Sequence, residues 1–526
     1  MWLRLSSLLV LAFGLGVTAT PVKAAPDAQK NAKQLFTTHC AECHGADRLG
    51  RMGPALLPQN LRRVRKNKAA GIILKGRPAT QMPGFAAKLS KADADALVSL
   101  IYTPLPKRPV WGHKEIMATH KIEVKSKDLP AKPTFKADML NLFVVVETGD
   151  HHVTILDGDK FEPITRFKSR FALHGGPKFS PEGRFVYFAS RDGWITKYDI
   201  YSLQVVAEIR AGINTRNLAI SHDGKVIAVA NYLPHTLVLL DAEDLSILKI
   251  HKVTDQFKKQ TSRVSAVYQA APRNSFVAAL KDLPEIWEIS YLKNPPIVPT
   301  GLVHSYEQGH EELLTKRVRF PIRRIPLKEP LDDFFFNQSY GKLMGSSRDG
   351  GKGVVVHMEV RREIAEINLP GFPHLGSGIT WTRNGKRIMA TPHLRGASVS
   401  VIDMSDWSVI KRIKTMGPGF FMRSHEKSKY AWTDVFFGPN RDVMHVIDKQ
   451  SLEIVKTLKP VPGKTAAHVE FTRDGRYALV SIWDMKGAII VYDAETLQEV
   501  KRLPFVRPSG KYNVYNKIHR SEGTSH

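Results

Sequence analysis

Between residue 139 and the C-terminus one phrase recurs, an apolar run ending in aspartate, a turn, and another apolar run. Its anchors are Asp157, Asp199, Asp241, Asp403, Asp448 and Asp493, and the members of each triplet lie 42 or 45 residues apart. That period suits one four-stranded blade of a β-propeller, whereas a β-sandwich does not repeat a single strand-turn-strand phrase at near-constant spacing. The residues before the anchors, such as 195–198, 236–240 and 488–492, are β-branched or apolar as strands require. Upstream of most anchors a tight hairpin turn is marked by Gly183, Gly224, Gly385 or Gly475, where glycine permits positive φ. Two degenerate copies lie around residues 286–288 and 356–359, separated by an insertion near residues 293–328. The expectation is an all-β, eight-bladed propeller over residues 139–526.

The innermost strand of each blade starts at the mouth of the central channel, so the positions a few residues before the glycine turns converge there. They are His174, Arg216, Arg263, His374 and His468. Any one of the 20 histidines is more often a surface residue than a ligand. Together, however, a cation-rich mouth suits carboxylates, and its histidines suit a metal or a proton-transfer role.

The N-terminal part carries different chemistry. The only two cysteines stand as Cys40-Ala41-Glu42-Cys43-His44, the attachment signature of haem c. Both thiols form thioethers and His44 is the axial ligand, giving one covalent haem per chain. A thioredoxin-like pair lacks the histidine, and a zinc site needs two further ligands nearby. Gly53-Pro54 follows the motif, Met82-Pro83 comes later, and an amphipathic run covers residues 90–102. This region resembles a small, all-α class I cytochrome c. The resemblance implies that Met82 is the sixth ligand, with Met52 or a linker histidine as alternatives.

Arg4, the apolar residues 8–19 and the small residues before Ala25 read as a secretory signal over residues 1–24. The apolar stretch falls short of the ~20 residues that span a bilayer, so the chain is expected in the periplasm without a membrane span. The cytochrome domain is assigned to residues 25–108. Pro104, Pro106 and Pro109 then introduce a connection over residues 109–138.

The haem motif, the eight blades, Trp111-Gly112 and the C-terminal segment 508–516 together resemble the cytochrome cd1 nitrite reductase superfamily across nearly the whole mature chain. The resemblance implies a haem d1 or dihydro-haem d1 in the propeller, with His174 on its iron. Arg216, Tyr232 and Arg263 would hold its carboxylates. Respiratory members present two histidines above that iron as proton donors, and only His374 matches. Phe336 or Asn337 falls where the second is expected, and Ser377 replaces an arginine. The pattern is similar to the biosynthetic branch of the superfamily, which oxidises dihydro-haem d1 to haem d1. His374 or His468 would act as base, with the haem c as electron sink. Nitrite reduction and non-catalytic carriage of haem d1 are the alternatives. The net charge of +27 suggests acidic partners for an exported chain, such as an acidic periplasmic redox protein or a cytochrome cd1 nitrite reductase. Nucleic acid is not expected, and a merely solvated basic face is the plainer reading.

Overall fold

The computed structural model describes residues 26–519 apart from 52, 62–63, 77–81, 299–301, 305–310, 314–317 and 348–349. The signal segment 1–24 and Met52 therefore lie outside the described residues.

The N-terminal domain is helical. Pro26–His39, the single turn Ala41–His44, Lys66–Lys75 and Lys91–Tyr102 enclose a core that includes Phe36, Ile73, Leu97 and Ile101. The last helix buries Ala94, Leu97, Val98 and Ile101, the i, i+3, i+4, i+7 stripe of an amphipathic helix. It begins at Ser90, whose hydroxyl accepts the Asp93 N–H while the Asp93 carboxylate accepts the Ser90 N–H.

Eight antiparallel blade sheets follow among the described residues, seven of four strands and one, the second blade, of five. The repeat has a local cause: each anchoring aspartate ends the third strand of its blade and turns the chain by accepting backbone N–H groups two or three residues on. Asp157 does so from Asp159 and Lys160, Asp403 from Ser405, and Asp493 from Glu495. The predicted turn glycines have φ of +78°, +69°, +74° and +76°, accessible to glycine at little cost. Between blades the cores are apolar. Phe276 and Trp287 of the fourth blade, for example, pack against Leu237 and Leu239 of the third. Full burial stabilises each such side chain by roughly 1.5–3 kcal/mol. The ring closes where Pro508–Asn513 becomes the innermost strand of the first blade, pairing antiparallel with Phe143–Glu147.

Two segments differ from expectation. The insertion near 293–328 is partly sheet, because Ile322–Pro326 supplies the fourth strand of its blade. The connection 109–138 contains a helix, His113–Met117, and a strand, Lys121–Ile122, that pairs with the outer edge of the second blade. That sheet edge offered unpaired backbone groups, and pairing satisfies them. Among the described residues no helix is long and apolar enough to cross a membrane.

Candidate functional site

Cys40, Cys43 and His44 share one helical turn, with the His44 N–H donating to the Cys40 carbonyl at 2.9 Å. His44 is buried, and its Nδ1 lies 2.8 Å from the carbonyl of Pro54. A carbonyl only accepts, so Nδ1 carries the proton and Nε2 keeps its lone pair for a metal. A Cβ on Gly53 would lie 2.8 Å from the His44 ring, so glycine is what lets the backbone cover it. Burial, then neighbouring Cys43, pushes the Cys40 thiol up to about 11, the opposite of an activated redox thiol. Met82 packs, half-buried, on the same core cluster as Cys40. The residues present therefore fit a covalent haem whose axial histidine is pre-oriented.

The propeller residues form a circuit around the channel mouth. His174 Nδ1 donates to the Arg216 carbonyl at 2.7 Å, and its Nε2 accepts from Arg191 at 2.8 Å. Arg216 donates Nε–H to the Ser265 carbonyl at 3.0 Å and stands 3.9 Å from Asp333. A Cβ on Gly376, two residues after His374, would meet that Asp333 carboxylate. His374 Nδ1 donates to the Phe420 carbonyl at 2.6 Å, with the two rings 4.3 Å apart. Phe420 packs on Phe421, Phe421 lies 4.9 Å from the His468 ring, and His468 lies 5.0 Å from Tyr512. A Cβ on Gly176 would be 3.0 Å from Tyr512, which closes the circuit back to His174.

Tyr232 sits among three cations, Arg191, Arg263 and Lys281, at 5.9, 5.5 and 5.7 Å from its ring centre. Arg263 is already bidentate to Asp282, and Lys281 pairs with Asp332. The cations expected from sequence do converge, but they bring carboxylates that were not anticipated. Both candidate bases are neutral at pH 7. Burial lowers the His374 pKa, opposed chiefly by Asp333, and lowers that of His468 much further, helped by Lys511.

A bulge aims several of these side chains. In the innermost strands the pairing register skips Arg216, Ser265, His468 and the pair Asp332–Asp333. A bulged residue leaves the sheet's alternation and is re-aimed: Arg216 and Asp333 meet each other and His468 meets Phe421 and Tyr512, while the Ser265 hydroxyl turns to the carbonyls of Ala279 and Leu331. This corrects one expectation. Phe336 is not at the mouth: it packs against Phe334 and Tyr340 in the core between the fourth and fifth blades. Asn337 bonds to Ser339. The fifth blade presents Asp332 and Asp333 to the channel instead. Ser377 is buried, donating its N–H to the His374 carbonyl. Arg191, Phe420, Phe421 and Tyr512 were missed. Phe420 and Phe421 do occupy the corresponding point of the seventh blade, but that blade lacks the glycine turn.

The cytochrome domain rests beside this mouth. Ala55 and Leu57 form one apolar cluster with Ile213, against which Trp111 and Leu233 pack, and Ile213 directly precedes the innermost strand bearing Arg216.

Comparison with known proteins agrees with this architecture. Residues 137–517 match the family described as "Cytochrome D1 heme domain", and residues 27–101 match "Cytochrome C oxidase, cbb3-type, subunit III". The chain is 55% identical to dihydro-heme d1 dehydrogenase of Pseudomonas aeruginosa, covering 94% of this chain and 95% of that protein. It is 24% identical to nitrite reductase of Stutzerimonas stutzeri, over 98% of this chain and 97% of that one. A solved structure described as dihydro-heme d1 dehydrogenase NirN in complex with DHE matches with a TM-score of 0.86 at 54% identity, over 93% of this chain and all of that one.

Proposed function

The chain belongs to the cytochrome D1 heme domain family, and from that premise we propose that it oxidises dihydro-haem d1 to haem d1. The reaction converts a propionate, –CH2–CH2–COO⁻, into an acrylate, –CH=CH–COO⁻, releasing two protons and two electrons. When bound at Cys40, Cys43 and His44, haem c supplies a one-electron sink, drained in turn by an external acceptor.

The carrying observation is the pairing, around one channel mouth, of a cationic wall with a wall of neutral imidazoles. His174, its Nδ1 tethered and its Nε2 an acceptor, is the proposed ligand to the substrate's iron. Arg216, Tyr232 and Arg191 are placed to attract its carboxylates, with Arg263 contributing if Asp282 yields. His374 is the proposed base. Its Nδ1 is committed to Phe420, so Nε2 is the atom that takes a proton, and burial keeps that atom unprotonated at pH 7. Phe420 and Phe421 shield the same wall from water. The signal segment read from residues 1–24 supports a periplasmic location. The basic surface suits an acidic redox partner, or a cytochrome cd1 nitrite reductase receiving the product.

The test is to mix the anaerobic holoprotein with dihydro-haem d1, follow haem c reduction and the chromophore shift, and assay nitrite separately. Conversion of the precursor with negligible nitrite turnover is expected. Nitrite turnover without conversion would replace this reading by nitrite reduction, and tight binding with neither activity would leave a haem d1 carrier.

A further inference from the structure

Asp434 ends the second strand of the seventh blade, Tyr430–Asp434, and is 1% exposed. Its Oδ1 accepts the Phe420 N–H at 2.7 Å and the Phe421 N–H at 3.1 Å, the latter shared with Oδ2 at 3.2 Å. The His468 N–H, from the neighbouring blade, also donates to this carboxylate. The three peptides so held govern the imidazole wall. The Phe420 carbonyl receives His374 Nδ1 at 2.6 Å, the Phe421 ring packs 4.9 Å from His468, and His468 itself sits at φ +55° on a bulge. A non-glycine residue keeps that conformation only where its surroundings enforce it.

Among the described residues no cation pairs with Asp434, and burial pushes its carboxyl up to about 7. A carboxylate held only by peptide N–H groups in the interior is costly. An apolar side chain would serve packing alone better, so the acid's use lies in what it orients.

We propose that Asp434 is the positioning residue of the site, one carboxylate that sets the base His374 through the Phe420 peptide. It does this without touching substrate. The inference rests on the dehydrogenase reading and names what aligns its base. Asp434→Asn keeps the shape but turns one acceptor into a donor, so it cannot receive all three N–H groups. Loss of alignment lowers turnover without weakening binding. The expected result is kcat down at least about tenfold with KM within about twofold. A residue that acts through His374 loses its effect once His374 is gone. In the His374→Ala background, whose residual turnover is measured over longer times, Asp434→Asn should therefore change the rate by less than about twofold.

A full tenfold loss in that background, or an unchanged kcat in the single variant, overturns the positioning role alone. Asp434→Ala, which removes every acceptor, should show the same split. If it instead raises KM as much as it lowers kcat, the role is general packing and the proposal fails. A wild-type protein that binds dihydro-haem d1 but never converts it sinks the dehydrogenase reading and this inference with it.

Discussion

Arg210 of the propeller donates from Nη1 to the carbonyl of Gly50 at 3.1 Å, and the Gly50 N–H in turn donates to the carbonyl of His44 at 2.9 Å. One residue thus stands between the propeller and the proposed axial ligand of haem c. The guanidinium is 4% exposed, donates also to the carbonyls of Leu49 and Asp192, and stacks 4.7 Å from the Trp111 ring centre. Its charge is thus solvated by backbone dipoles, with buried Asp192 close by.

Arg210→Ala strands two carbonyls of the cytochrome domain, those of Leu49 and Gly50, and should cost roughly 1–3 kcal/mol of interdomain docking. The expected outcome is slower reduction of haem c on addition of dihydro-haem d1, followed by stopped flow, with equilibrium binding of the precursor unchanged. Reduction as fast as in the wild type would show that docking through this contact does not limit electron transfer.

Replacing Cys40 and Cys43 by serine should leave haem that acid-acetone extracts, whereas wild-type haem stays with the denatured protein. Met82→Ala should abolish the low-spin methionine-ligated spectrum and lower the potential, since a thioether ligand raises it. An unaltered spectrum would direct the search to a histidine ligand.

His174→Ala should remove axial coordination of the precursor while the propeller stays folded, because a residue at the mouth adds little to packing between blades. Arg216→Ala should weaken binding by about 1.5–3 kcal/mol, on the order of 10- to 150-fold in Kd, if it makes one charge-assisted contact with a carboxylate. Titration followed by absorbance measures both, and an Arg216 effect near zero would assign the carboxylates elsewhere.

The pH profile follows from the direction of the His374 shift. A base works unprotonated, and burial lowers its pKa below 6.5. Asp434, whose carboxyl burial pushes up to about 7, should add a decline near pH 7 as it takes up a proton, and the lower limb that His374 imposes should lie below the ordinary histidine range. His374→Ala should reduce turnover by roughly 10²-fold or more and remove that lower limb. A lower limb that persists in the variant would assign it to another group.

The division between sequence and tertiary structure runs along the range of the interactions. The blade period was legible because its causes are local: an aspartate accepting N–H groups two or three residues on, and a glycine with φ near +75°. The haem motif was legible for the same reason, since Cys40, Cys43 and His44 lie within one helical turn. What faces the channel was only partly legible, because it depends on bulges that break the two-residue alternation of a strand. The family resemblance pointed to Phe336 or Asn337 on the fifth blade. The register slip across Asp332 and Asp333 puts those carboxylates at the mouth and Phe336 in the core. Asp434 and Arg210 carried no sequence signal at all. Their partners are backbone groups 13–34 and about 160 residues away, and a peptide N–H or carbonyl looks the same in every sequence until the fold brings it near.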